Sequence, residues 1–213
     1  MNNKLKDLYN INFYGRPLLT MIKPGNRVLE IGCGNNSLLV RSSMIVQRKL
    51  KVTGIDIFKP YVDYHNARNI YQVCYHADIT AVEFELDQFD VVVCMDVLEH
   101  LTKDEGIKLL SDMTMWARTV IVTTPNGFIP GVPQDSNKYR EHKSGWTTTE
   151  LRHYGYKVRG TSGLKPLRRP DSQLRHEHPF IFWAGLSFIS DALVYFLPNL
   201  AFHLQATYVS RER

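Results

Sequence analysis

The chain is predicted to fold as an α/β domain on a largely parallel sheet with helices on both faces. Three observations predict it. Short apolar runs, among them Val28-Leu29-Glu30-Ile31 and Val91-Val92-Val93-Cys94, alternate with stretches of helical spacing, the pattern of buried parallel strands separated by crossover helices. The first run leads directly into Gly32-Cys33-Gly34, and a strand, a Gly-x-Gly turn and a helix form the first half of a nucleotide-binding βαβ unit. Asp56, Asp78, Asp96 and Pro125 close later strands, and in open α/β sheets ligands gather beyond those carboxyl ends.

The elements follow in order. Residues 1–23 read as a helical arm, with Leu5, Leu8, Leu18, Leu19 and Ile22 available for burial and an aromatic-basic cluster at Tyr9, Phe13, Tyr14 and Arg16. Pro24-Gly25 turns the chain into the first strand. One helix is expected from Asn36 to about Leu50, then a second strand over Lys51–Asp56. Pro60 suits the first turn of the next helix, where a missing N–H costs little. Strands are expected at Tyr71–His76, Phe89–Met95 and Thr119–Thr123. Thr102-Lys103-Asp104-Glu105 is a capping box opening a helix to about Ala117. Thr147-Thr148-Thr149-Glu150 is a second, and its helix stops at Gly155. Tyr156–Thr161 and Gln205–Ser210 complete a set of seven strands.

With 213 residues, 44% of them hydrophobic and 22% charged, the chain can build one ordinary α/β core. The net charge of +5 is small, and much of it lies in Lys157 to Arg175. Cys33, Cys74 and Cys94 lie in or at the ends of predicted strands without metal-ligand spacing, so they read as buried reduced thiols and no metal is expected. No apolar stretch follows Lys4 and Lys6, so no signal peptide is expected. These features suit a single domain over 1–213 in the cytoplasm.

Glu30 narrows the ligand. A carboxylate at the strand end would repel a pyrophosphate but suits an ammonium or sulfonium group, and the third glycine of the dinucleotide fingerprint is replaced by Ser37. Asp56 stands about where an acid accepting ribose hydroxyls is expected, roughly twenty residues beyond the glycine loop.

With LEIGCG at Leu29–Gly34, FDVV and VLEHL around Phe89–Leu101, and TPNG at Thr124–Gly127, the chain resembles the class I S-adenosylmethionine-dependent methyltransferases. It looks closest to their small-molecule branch, which includes quinone O-methyltransferases. The likeness runs from about Arg27 to Gly160, with Asn36 departing from the glycine many members carry. It implies a Rossmann-like seven-stranded sheet, mostly parallel, with an antiparallel last strand inserted beside the sixth. It also implies S-adenosylmethionine as cofactor: Gly32 and Gly34 pass its methionine part, Glu30 lies toward the ammonium and Asp56 takes both ribose hydroxyls. Asp78 accepts from the adenine amine, with Ile57 and Ile79 flanking the ring, and Asp96 stands on the same edge. For a hydroxyl acceptor a base is also needed. His100, in Leu98-Glu99-His100-Leu101, and His142, in the polar loop after Gly127, are the candidates; of the two, His100 reads more readily as structural.

Residues 165–203 form an insertion between the last two strands. It opens with Lys165, Arg168, Arg169 and Arg175 and turns apolar from Phe180, where only Asp191 is charged as far as Phe202. Ser187, Ser190 and Asp191 fall on one narrow stripe of a helix. Mid-run Asp191 and Pro198 argue against a membrane crossing, leaving a core helix, a pocket wall or an interfacial anchor at the inner face of a membrane. The expected reaction is methyl transfer, at oxygen, to a small or lipid-like acceptor. The alternatives are an RNA methyltransferase, favoured only by the positive charge, and a non-catalytic regulatory module binding S-adenosylmethionine. No motif for a nucleic-acid substrate is found, none is expected as partner, and oligomeric state is not legible.

Overall fold

The computed structural model describes residues 20–35, 37–131, 137–176 and 178–210. The expected arm over 1–23 therefore lies outside the described residues except for its last positions, where Ile22 is fully buried. Asn36 also lies outside them.

Seven strands form one sheet in the order β3-β2-β1-β4-β5-β7-β6. They are β1 (Arg27–Ile31), β2 (Lys51–Asp56), β3 (Val73–His76), β4 (Phe89–Met95), β5 (Ala117–Pro125), β6 (Lys157–Leu164) and β7 (Ala201–Val209). Among the described residues six helices accompany them: α1 (Leu38–Arg41), α2 (Met44–Gln47), α3 (Lys59–Ala67), α4 (Lys103–Trp116), α5 (Thr148–His153) and α6 (Phe180–Phe196). The described residues pack as two compact units, one drawn from residues 20–95, 107–121 and 208–210, the other from 96–106 and 122–207.

In the first unit β1 pairs in parallel with β2 and β4, and β2 with β3, through Ile31↔Ile55, Ile31↔Cys94 and Asp56↔His76. Their carboxyl ends therefore share an edge. Val28–Ile31 and Val91–Cys94 are buried without alternation, because parallel strands here are covered on both faces. Cys33, Cys74 and Cys94 are buried thiols, with the Sγ atoms of Cys33 and Cys74 3.4 Å apart.

The single helix expected up to Leu50 is instead two short ones. Ser42 turns its Oγ back onto the carbonyls of Leu38 (2.7 Å) and Leu39 (3.3 Å), and Ser43 adopts φ +55°. A serine that competes for helix carbonyls and a neighbour in the left-handed region end the helix there. Ser37 caps α1, its Oγ accepting from Val40 N, and Pro60 sits in the first turn of α3.

In the second unit β6 and β7 run antiparallel, with Val158↔Ala206 and Gly160↔Leu204 in register. The sheet order places β7 between β5 and β6, as expected of an inserted last strand. β7 begins at Ala201 rather than Gln205, and β6 continues to Leu164. Ala201 to Ala206 are all buried, His203 and Gln205 included, so the run carries no alternation from which to read a strand. Both capping boxes form: Glu105 Oε2 accepts from Thr102 N and Oγ1, and Glu150 does the same for Thr147. Tyr156 N reaches back to Leu151 O across Gly155, closing α5.

Candidate active site

The glycine loop of the first unit is held from three directions. Gly32 and Gly34 have φ +68° and +52°, a conformation that disfavours any side chain. Gly34 donates its N–H to Asp56 Oδ2 (2.9 Å), and its carbonyl meets His65 Nε2 (2.5 Å). Asp56 Oδ1 accepts from Phe58 N (2.8 Å), so one buried carboxylate ties the end of β2 to the loop. Burial pushes the Asp56 carboxyl upward, against the pull of the Phe58 and Gly34 N–H groups.

Glu30 is 3% exposed and lies beneath that loop. Its Oε1 accepts from Ser37 Oγ (2.6 Å) and its Oε2 from Tyr71 Oη (2.9 Å). Ser37 in turn caps α1, so Glu30 braces the strand, the loop and the first helical turn. Desolvation pushes its carboxyl up to about 7, against the lowering effect of both hydroxyl donors. Tyr71 and His65 were not singled out from sequence, and Ser37 only as the residue in place of a third glycine; their buried polar atoms identify them. Asp78 is exposed and turns Oδ1 onto Thr80 N (2.9 Å) and Oγ1 (2.8 Å), while Ile79 is buried and Ile57 half-buried.

In the second unit Asp96 follows β4 directly in the left-handed region, φ +53°. Its N–H donates to Thr123 O (3.0 Å) and its Oδ1 accepts from Thr123 Oγ1 (2.9 Å). His203 Nε2 lies 3.8 Å from the same Oδ1; burial lowers the His203 pKa, against the pull of Asp96.

Glu99 is buried, and its Oε2 accepts from Thr124 Oγ1 (2.9 Å). Burial first, and Asp96 second, push its carboxyl well above the ordinary range. The Glu99 carbonyl accepts from Lys143 N (2.7 Å) and Ser144 N (3.1 Å), and Ser144 Oγ donates to Leu98 O (3.0 Å). Trp146, fully buried, donates Nε1–H to Ser144 Oγ (3.1 Å) under the Lys103 ammonium, which lies 4.0 Å from its ring. These contacts bolt the loop carrying His142 to the turn carrying His100. The two imidazoles meet edge to face at 4.8 Å.

Both histidines place Nδ1 on a backbone carbonyl, His100 on Glu141 (3.0 Å) and His142 on Ile129 (2.5 Å). A carbonyl only accepts, so each Nδ1 carries a proton, and in the neutral ring the lone pair is then on Nε2. Burial, then the neighbouring His142, lowers the pKa of His100, which keeps it neutral near pH 7. Glu99, His100 and His142 offer ligand atoms within 4.8 Å of one another, a carboxylate-imidazole set suited to a divalent transition metal. Sequence spacing had shown no metal set, because these residues come together only through the folded loop.

The methyltransferase-domain family model matches residues 28–119. The ubiquinone biosynthesis O-methyltransferase of Aeromonas salmonicida is 37% identical over 108 residues, covering 48% of this chain and 44% of that protein. This chain thus spans less than half the length of that relative. Coclaurine N-methyltransferase, solved with N-methylheliamine and S-adenosylhomocysteine, superposes with a TM-score of 0.62 at 14% identity, covering 99% of this chain and 72% of the other. A S-adenosylmethionine-dependent methyltransferase from Archaeoglobus fulgidus gives 0.57 at 16% identity, covering 98% and 95%.

Proposed function

We propose that the chain is a class I S-adenosylmethionine-dependent methyltransferase and that it methylates a hydroxyl oxygen of a small or lipid-like acceptor. The observation that carries the oxygen reading is the His100–His142 pair, whose two Nε2 lone pairs are fixed by Nδ1 contacts to carbonyls. An amine acceptor has a lone pair at hand once neutral, whereas a hydroxyl must shed a proton as its oxygen attacks. The name of the Aeromonas relative supports oxygen as well.

Residues of the first unit suit the donor. Gly32 and Gly34 leave the loop backbone bare, and Asp56 and Asp78 are acceptor-only carboxylates matched to ribose hydroxyls and an adenine amine. Ile57 and Ile79 offer apolar contact for the ring. Glu30, sealed under the loop, acts by bracing its shape and by adding negative charge behind it once ionised. When bound, S-adenosylmethionine supplies a methyl group already activated on a positively charged sulfur. Orientation of the two reactants then accounts for most of the barrier lowering, about 7–11 kcal/mol in favourable cases.

In the second unit an imidazole Nε2 takes the acceptor's hydroxyl proton, and the Nδ1–H···O=C bond holds the resulting imidazolium in place. Asp96 adds negative charge that favours it. A ring that burial favours in its neutral form, as at His100, and a carbonyl on the far side of each ring are conditions a base requires.

A second reading rests on the carboxylate-imidazole set. A divalent cation held by Glu99, His100 and His142 would lower the hydroxyl's own pKa and orient it. One experiment separates the two. Methyl transfer from labelled donor to alkyl-substituted catechols is measured before and after dialysis against a chelator. Activity that survives supports the bare base; activity lost and restored by added cation supports the metal; no transfer to any hydroxyl under either condition removes the oxygen reading.

A further inference from the structure

α6 is turned inside out relative to a core helix. Of the three positions seen buried, two are polar: Ser187 is 0% exposed and Ser190 5%, with Val194 the apolar one. Ser187 Oγ accepts from Arg168 Nη2 (2.8 Å), Ser190 Oγ accepts from Leu164 N (3.2 Å), and Asp191 Oδ1 accepts from Gly163 N (3.0 Å). The underlying strand admits this face because it has no side chain in the way. A Cβ at Gly160 would lie 2.3 Å from Val194 O, and one at Gly163 2.7 Å from Ser187 Oγ. The stripe visible in sequence therefore faces inward.

What faces outward is apolar. Phe182, Leu186, Ile189, Leu193 and Phe196 are exposed, Ile189 at 70% and Phe196 at 78%, and Leu197 and Leu200 extend the surface past the helix end. With 3.6 residues per turn these five side chains fall within an arc of about 80°, which exposed Phe188 and Tyr195 widen to about 180° of the helix. It carries no charge, since Asp191, the one ionisable acid or base of Phe180–Phe196, points at β6. An apolar surface this continuous marks an interaction site rather than ordinary exposure.

Charge names the occupant. Residues 157–200 hold six Lys and Arg against three Asp and Glu. Among the described residues both acids are engaged, Asp191 on Gly163 and Asp171 with Arg169 at 3.4 Å. Arg159 is exposed and lies 4.5 Å from the ring of Tyr195 at the edge of the apolar arc; Lys157 and Arg175 are exposed as well. Arg168, which the sequence offered as surface charge, is instead buried as the strut between the basic loop and Ser187. A second copy of the chain would set these cations against themselves, whereas an anionic surface complements them. No helix among the described residues is long and apolar enough to cross a membrane, and 17 residues span only about 25 Å.

We infer that α6 lies flat in the headgroup boundary of an anionic lipid bilayer, apolar arc down, with Trp183 and Tyr195 at its margins and Arg159 and Arg175 over the lipid phosphates. The contact stands on this surface alone, whatever the acceptor proves to be.

Co-sedimentation of the full chain with vesicles tests it. Binding is expected to phosphatidylcholine vesicles containing phosphatidylglycerol, weakened by 0.5 M salt, and at least about tenfold weaker to phosphatidylcholine alone. Replacing Ile189, Leu193 and Phe196 by Ser should abolish it with the melting temperature held. A measurement on the unsubstituted chain guards against a variant that fails to fold. Trp116 and Trp146 are buried, so quenching by brominated lipid reports on Trp183, and quenching is expected in anionic vesicles. Absence of sedimentation and quenching overturns the inference, as does a folded triple variant that binds like the parent. A dimer in light scattering that the triple variant dissolves, with no vesicle binding, assigns the face to a second copy and overturns it too.

Discussion

His100 and His142 meet edge to face with ring centroids 4.8 Å apart, and each fixes its tautomer by giving Nδ1–H to a backbone carbonyl. Two imidazoles so arranged present two acceptor nitrogens, and the carboxylate of Glu99 is the third group within reach. Removing either ring should therefore damage turnover more than donor binding. His142→Ala is expected to lower the rate of methyl transfer about 100-fold or more while S-adenosylhomocysteine affinity, read by calorimetry, stays within about twofold. Loss of donor affinity in step with turnover would place His142 in the donor site instead.

The same three groups make a prediction about cations. Millimolar Mn²⁺ or Zn²⁺ should raise the melting temperature of the parent chain, and the rise should vanish in both His100→Ala and His142→Ala. A rise that persists in both variants would locate the ion elsewhere.

Glu30 carries a signed pH prediction. Its carboxyl is held up at about 7, against 4.5 without the fold. The folded chain therefore keeps a proton that the unfolded chain releases. The stability this gives is fully present below pH 4.5 and is lost as pH rises through 7, a decline of about 3 kcal/mol at most. Urea unfolding of the parent between pH 5 and 8 should show that decline, and Glu30→Gln should flatten it. Equal slopes for the two chains would mean that Glu30 ionises freely in the fold.

Gly106 tests the bolt that holds the histidine loop. A Cβ there would lie 2.4 Å from Trp146 Cζ2, and Trp146 is fully buried with no room to yield. Gly→Ala within a helix ordinarily stabilises by up to about 1 kcal/mol; here overpacking should reverse the sign and destabilise by about 1–3 kcal/mol. Chemical denaturation reads it directly, and a stabilised Gly106→Ala variant would contradict the packing described.

Much of this fold was legible because local chemistry and burial agree. β1 and β4 are apolar without alternation since parallel strands are covered on both sides, and Glu105 and Glu150 announced their helices by capping. The break at Ser42-Ser43 was not legible, because a serine hydroxyl that caps and one that interrupts look alike in sequence. The start of β7 was hidden by the burial of His203 and Gln205, polar residues that broke the expected pattern. In α6 the polar stripe of Ser187, Ser190 and Asp191 was visible, but only the bare backbone at Gly160 and Gly163 decides that it faces inward. The donor-side candidates Glu30, Gly34 and Asp56 do converge on one loop. The acceptor-side pair is different: His100 was readable as structural, and its partnership with His142 depends on a loop held by Ser144 and Trp146.

Donor binding by the glycine loop bears most directly on the account, because the methyl-transfer roles proposed for the other site residues follow from it. Isothermal calorimetry of the purified chain should show one S-adenosylmethionine site and no NAD site. In Asp56→Ala the affinity should fall by about 1.5–3 kcal/mol, the worth of hydrogen bonds to a charged carboxylate. Heat of binding from NAD, or S-adenosylmethionine affinity unchanged in Asp56→Ala, would contradict it.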